Sequence, residues 1–180
     1  MSAFWTYTLE FYRRDGVQPA VIHLQDARGA DVNLLIHAAW TAALDLPATT
    51  PAGAAALAAS VAAWRETAIE PLRAVRNALR PGVAYVPEEE CKALRGQVLK
   101  LEIEAERVEQ ALLEAGTVGA AGREAGEPDP QRVAQNLAAV AALNPAPLSG
   151  ADRDALRAVL AAACQGASVA QVDAALASMT

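Results

Sequence analysis

The side chains able to do chemistry gather between His23 and His37, where Gln25, Asp26, Asp31 and Asn33 follow closely on one another. An aspartate beside a histidine can orient an imidazole for proton transfer, and histidine with carboxylates can hold a metal ion. The spacing serves neither purpose. The two histidines fall on separate predicted helices, and neither belongs to an HExxH or ExxH pair. Asp26 and Asp31 are five apart across Gly29 and fit no DDxxD or DxxxD magnesium motif. Asp31 reads as a helix cap, and Asp26 as a solvent-facing or ion-paired residue. Cys91 and Cys164 lack CxxC spacing and a nearby histidine, Ser60, Ser149 and Ser168 sit in no GxSxG, and residues 116–126 lack GxxxxGK[ST]. No catalytic residue, metal site or cofactor is expected.

Arginines offer a second chemistry. Arg65, Arg73, Arg76 and Arg80 occupy one shoulder of a predicted helix, with Glu66 and Glu70 beyond them. Arg73 and Arg76 carry forked donors suited to a phosphate or carboxylate. Their alternative partners are Glu66, Glu70, Glu88 to Glu90 and Asp26.

The elements that must position these groups are helical. Ser2 caps a first helix ending at Asp15-Gly16, Pro19 fits the first turn of a second that stops at Gly29, and Asp31 caps a third. That third helix, about Val32 to Leu44, is apolar nearly all round, except for a seam of Asn33, His37 and Thr41 spaced by four and flanked by Trp40. Such a helix belongs at the centre of a bundle. Its seam must meet water, a buried partner or a ligand.

Thr50-Pro51 starts a helix whose apolar stripe stays in phase across Pro71, which predicts a kink there. Pro87 to Gly116 carries Cys91, Leu94, Val98, Leu101, Ala105, Val108, Leu112 and Ala115 at alternate spacings of three and four, a heptad seam. A parallel homodimer would face Glu104 with Glu109, so the preferred partner is the preceding helix, folded back at Pro81-Gly82. That register sets Arg65 near Glu102, and Arg76 to Arg80 near Glu88 to Glu90. Residues 117–129 read as a flexible linker. Three short helices follow, capped by Asp129, Ser149 and Ser168.

The expected fold is therefore all-α: a main helical bundle over 1–116 with a long antiparallel hairpin, the linker 117–129, and a small three-helix C-terminal appendage over 130–180. Apolar residues are 53% of the chain but aromatics only 4%, so alanine-rich helices pack closely around a few large anchors such as Trp5, Trp40 and Trp64. The net charge of −6 falls entirely beyond Val86. That distribution argues against nucleic acid as a partner. The start lacks the features of a signal peptide, no apolar run approaches the ~20 residues of a membrane span, and the unpaired cysteines suit a cytoplasmic location.

The set Phe4-Trp5, Gly16-Val17, Leu24-Gln25-Asp26, Gly29, Asp31-Val32-Asn33-Leu34-Leu35, Trp40, Trp64 and Pro71-Leu72-Arg73 with Arg76 resembles the bacterial domain-of-unknown-function family 2390. The resemblance covers about Phe4 to Leu113 and leaves out the C-terminal helices. It implies a small bacterial helical protein and brings no activity with it. The same residues suggest a network in which Arg73 and Arg76 reach the Gly29 turn, meet Asp26 and Asp31, and hold a site for which a small anionic or polar ligand could compete.

Two functions are consistent with this pattern. The first is a non-enzymatic cytoplasmic adaptor, assembly factor or regulatory protein that engages another protein, with homo-oligomerisation possible. The second is a ligand-binding bundle or helical enzyme with a pocket near His37, Asn33, Trp40 and Arg73. A cavity above ~300 Å³ bordered by those four residues favours the second. A filled core with an exposed apolar patch favours the first.

Overall fold

Short polar side chains set where the helices begin. Ser2, Asp31, Thr50, Asp129, Ser149 and Ser168 each accept a hydrogen bond from a backbone N–H of the turn that follows, and each starts a helix. A cap of this kind contributes about 1 kcal/mol. In the computed structural model, which describes residues 2–179, helix α1 spans Ala3–Phe11, α2 Val17–Arg28, α3 Val32–Ala43, α4 Pro51–Trp64, α5 Glu70–Ala78, α6 Glu88–Gly116, α7 Pro130–Ala141, α8 Gly150–Ala163 and α9 Val169–Ala177. The outer limits expected for the first and third units, Met1 and Thr180, lie outside the described residues. No strand occurs among the described residues, and the fold is all-α.

Helix α2 stops because Gly29 adopts a left-handed φ of 64°, which lets its N–H reach Gln25 O and the next N–H, from Ala30, reach Leu24 O. The chain then turns straight into α3, whose residues from Asn33 to Ala43 are all buried. Around α3 lie α1, α2, α4, α6, α7 and α8. Trp40 anchors this centre, stacked on Phe4 with ring centroids 4.8 Å apart. Helices α7 and α8 contribute Val133, Leu137, Leu156 and Leu160 to the same core as Phe4, Leu35 and Trp40. The C-terminal helices are thus part of the main bundle rather than an appendage. Their faces are small because α7 packs on α3 and α4, and α8 on α2, instead of on one another alone.

The segment 117–129, expected to be flexible, is tied down. Gly126 N–H donates to Ala43 O at 2.8 Å, Arg123 to Leu44 O at 3.0 Å, and Gly166 N–H to Glu127 Oε1 at 2.7 Å. The first two bonds satisfy carbonyls left open at the C-terminus of α3. Composition does not reveal them.

Pro71 is accommodated by a wide turn. Residues Arg65–Ile69 form one π-helical turn in which Glu70 N–H reaches Arg65 O, and Pro71, which has no N–H to donate, follows directly in the first turn of α5. After Pro81-Gly82 the chain returns as α6, about 43 Å long at 1.5 Å per residue. The hairpin is antiparallel: Trp64 Nε1 donates to Ala105 O at 2.9 Å near the body, and Leu79 lies by Cys91 near the tip. Helix α5 packs on α6 and the π turn, and none of its residues is buried.

The face of α6 that turns inward shares Cys91, Val98 and Ala105 with the expected seam but not its leucines. Its buried residues are Cys91, Val98, Glu102, Ala105, Glu109, Gln110 and Leu113, whereas Leu94, Leu101 and Leu112 are 48, 58 and 45% exposed. The helix is rotated by roughly a quarter turn from a leucine-inward packing. If the core is continuous, the full chain unfolds in one cooperative thermal transition, and proteolysis within 117–129 releases no fragment retaining the near-ultraviolet circular dichroism of the intact chain. Two separable transitions would show independent units.

Candidate functional site

The polar seam of α3 meets the rotated face of α6. Asn33 donates to Glu109 Oε2 at 2.5 Å and accepts from Gln110 Nε2 at 2.7 Å. Gln110 in turn accepts from the Thr8 hydroxyl of α1 at 2.9 Å. One turn on, His37 Nε2 lies 2.8 Å from Thr117 Oγ1, and Thr41 accepts from Asn136 Nδ2 at 3.2 Å. Every member of the seam therefore has a side-chain partner, a buried one for Asn33 and Thr41 and the half-buried Thr117 for His37.

Asp31 sits at one end of this network with both oxygens occupied. Oδ1 accepts from the N–H groups of Asn33 and Leu34, and Oδ2 from Arg65 NH1 at 2.6 Å. Glu109, only 1% exposed, lies next to it, with Oε1 lacking a hydrogen-bond partner while the group is ionised. Burial, and then the Asp31 carboxylate beside it, push the Glu109 carboxyl up to about 9, against the pull of Asn33 and Arg65. The direction of that shift favours the neutral form of Glu109, whose proton can be donated toward Asp31. His37 shifts the other way: burial lowers it to about 4, with Asp31 opposing. It stays a neutral imidazole.

The expected junction between the Gly29 turn and the arginines after Pro71 does not form. Arg73 donates to Glu102 Oε1 and Glu106 Oε1, both at 3.0 Å, and Arg76 Nε donates to the second oxygen of Glu102. The cation at Asp31 is Arg65, placed by the π turn. Asp26 is exposed, its side chain accepting from Gln25 Nε2 at 3.3 Å. Glu102 is buried and needs cations, whereas Glu88 and Glu89 are solvated beside Lys92, which explains why Arg76 reaches Glu102 and not the acids near the tip. Of the seven candidate residues, Asp31 and Asn33 share one network. His37 and Trp40 continue along α3, Arg73 and Arg76 hold the hairpin, and Asp26 stands apart.

Two cavities border this region. One, of about 500 Å³, opens beside the Gly29 turn between Asp31, Arg65, Leu35, Val140 and Leu148. The other, of about 550 Å³, has His37 and Thr117 in its wall. Asn33, Trp40 and Arg73 line neither. Sequence reasoning missed Glu109, Gln110 and Thr8 because α6 was read with its leucines inward. The one available signal was chemical: arginines on the shoulder of a half-buried helix require acids opposite. Among the described residues no three His, Cys, Asp or Glu side chains are grouped to hold a metal ion. What the arrangement can do is store a proton at Glu109 and present Arg65 to a cavity.

A carboxyl raised from its ordinary 4.5 to about 9 contributes stability below pH 4.5 that is lost as pH rises toward 9. Glu109→Gln keeps the donor and removes the titration, so its melting temperature exceeds wild type by an amount that grows from pH 6 to pH 9. A constant difference would refute the assignment. In urea denaturation at neutral pH, Arg73→Ala destabilises by about 1–3 kcal/mol and is sub-additive with Glu102→Ala. Asp26→Ala stays within about 0.5 kcal/mol of wild type and adds independently to Arg73→Ala.

Comparison with curated proteins and with solved structures finds no match. Residues 3–113, which carry the polar seam, the π turn and the hairpin, match the family described as protein of unknown function (DUF2390), and the chain belongs to that family.

Proposed function

We propose that this protein is a non-enzymatic adaptor or assembly factor that engages a protein partner through the tip and outer face of the α5–α6 hairpin. The observation that carries the reading is Tyr85. It sits between α5 and α6 with its side chain fully exposed and its backbone at a left-handed φ of 66°. That conformation costs a non-glycine residue about 1 kcal/mol, and no burial within the chain offsets it. Val83 and Val86 beside it are also exposed, and the apolar surface continues through Val75, Leu94 and Leu101. A groove of about 390 Å³ between Leu79, Val83, Val86 and Leu94 runs along one side of the tip.

Large apolar side chains held in water on a projecting element mark contact surfaces, and tyrosine is prominent among residues that dominate binding energy. The acids Glu88, Glu89 and Glu90 at the start of α6 disfavour nucleic acid and anionic lipid as the occupant. The packing around Trp40 supports the same reading. Trp40 is packed against Phe4 and His37, and the four residues expected to border a pocket do not share one. No described helix is long and apolar enough to cross a membrane, and both cysteines are free and buried. Those features accord with action in the reducing cytoplasm.

A photo-crosslinking amino acid placed at Tyr85 in the native host is expected to capture one protein that the same probe at Ala125 does not. Leu94→Ser with Leu101→Ser should abolish the adduct while leaving the melting temperature within a few degrees. Absence of an adduct, the same adducts from both positions, or an adduct of two copies of this chain would overturn the reading.

A further inference from the structure

The cavity beside the Gly29 turn has the composition of a small-molecule site. Its body is apolar, formed by Leu24, Leu34 and Leu35 from one side and Val140, Leu148 and Leu156 from the other. At about 500 Å³ it falls within the range of ligand pockets. Its wall is held rigidly. Arg28 donates to the carbonyls of Asn144 and Ala146 at 3.0 and 2.8 Å, and Asn144 Nδ2 donates back to Arg28 O at 2.9 Å, so the loop between α7 and α8 is fastened to the end of α2. The pocket is pre-formed.

Charge in the wall decides what fits. Both oxygens of Asp31 are occupied, and the Arg28 guanidinium is committed to the loop and to Asp152. Arg65 is committed on one side only. Its NH1 holds Asp31, but the carboxylate nearest its NH2 is Glu70 at 3.6 Å, beyond hydrogen-bond reach and with a side chain 55% exposed. The open charged valence at the cavity is therefore a donor. Asp31 and Glu70 flank it, so a second negative charge on an incoming group would be repelled.

We infer that this cavity binds a small monoanionic amphiphile, a carboxylate on an aliphatic body, with the carboxylate on the free edge of Arg65 and the body against the leucines. The charge-assisted pair would displace the weak Glu70 contact and leave Asp31 in place. The π turn supports the assignment independently, since such turns recur at functional sites and this one begins at Arg65. The site is separate from the hairpin tip and stands whether or not the tip docks a protein.

Sodium hexanoate, hexylammonium chloride, 1-hexanol and hexyl phosphate serve as matched probes of the full chain, followed by amide chemical shifts. Hexanoate is expected to saturate shifts at Gly29, Ala30 and Asn144, with no comparable change at Thr117 or Tyr85. Arg65→Gln should weaken it about tenfold, the worth of one charge-assisted bond. Ala58→Leu, which narrows the cavity without touching Arg65, should weaken it as well while the melting temperature stays near wild type. Equal binding of hexylammonium or hexanol, tighter binding of hexyl phosphate, shifts confined to the tip or to the His37 cavity, or unchanged affinity in the folded Ala58→Leu variant would each overturn the proposal.

Discussion

Glu109 is a carboxyl group with nowhere to find water, and the contact between α3 and α6 is organised around it. An unpaired buried acid costs several kcal/mol, so its surroundings must supply either a proton or a cation. Here they supply both in part, a proton on Glu109 and Arg65 on the neighbouring Asp31. Networks of this kind add little net stability compared with an apolar packing of equal volume. What they add is geometry. Asn33 can bond Glu109 and Gln110 together only in one rotation of α6 and one height along α3.

That rotation links the interior to the surface. Because Glu102 and Glu109 face inward, Leu94, Leu101 and Leu112, about a quarter turn away, must face out. A leucine-inward hairpin would have buried more apolar area, at about 25 cal/mol per Å². It would also have left Arg73 and Arg76 without Glu102, the buried acid of α6 that they share. The exposed stripe is thus a consequence of how the charges are arranged, and evolution of a contact surface there would require no change in the core.

Local signals were legible in the sequence and long-range pairings were not. Capping residues, the Gly29 stop and the central place of α3 depend on neighbours within a turn, and each can be read from residue type. The polar seam could be read too, including its need for partners. Its partners could not, because Asn33 and Glu109 are 76 residues apart and the inward face of α6 carries Glu102, Glu109 and Gln110, which apolar periodicity passes over. The heptad spacing pointed to the leucines instead. In the same way Arg73 and Arg76 were correctly marked as needing carboxylates, but the choice between Asp26 and Glu102 turns on which acid is buried. The segment 117–129 was misread because its anchors are single hydrogen bonds to distant backbone groups, which leave no trace in composition.

The two surfaces of interest divide along the family boundary. Seam, π turn and hairpin all lie within residues 3–113, the segment that matches the family, so the constraint that exposes the α6 leucines is complete within it. The cavity at Gly29 is not. Arg65, Asp31 and three leucines come from the matched segment, whereas Val140, Leu148 and Leu156 come from α7, α8 and the loop between them. Without that second wall, Leu24 and Leu35 would face solvent and Arg65 would be as hydrated as Glu70 now is, too wet for its open donor to hold an anion selectively. The C-terminal helices therefore do more than extend the core: they close the second wall of the cavity that Arg65 and Asp31 border, on which the proposed anion site depends.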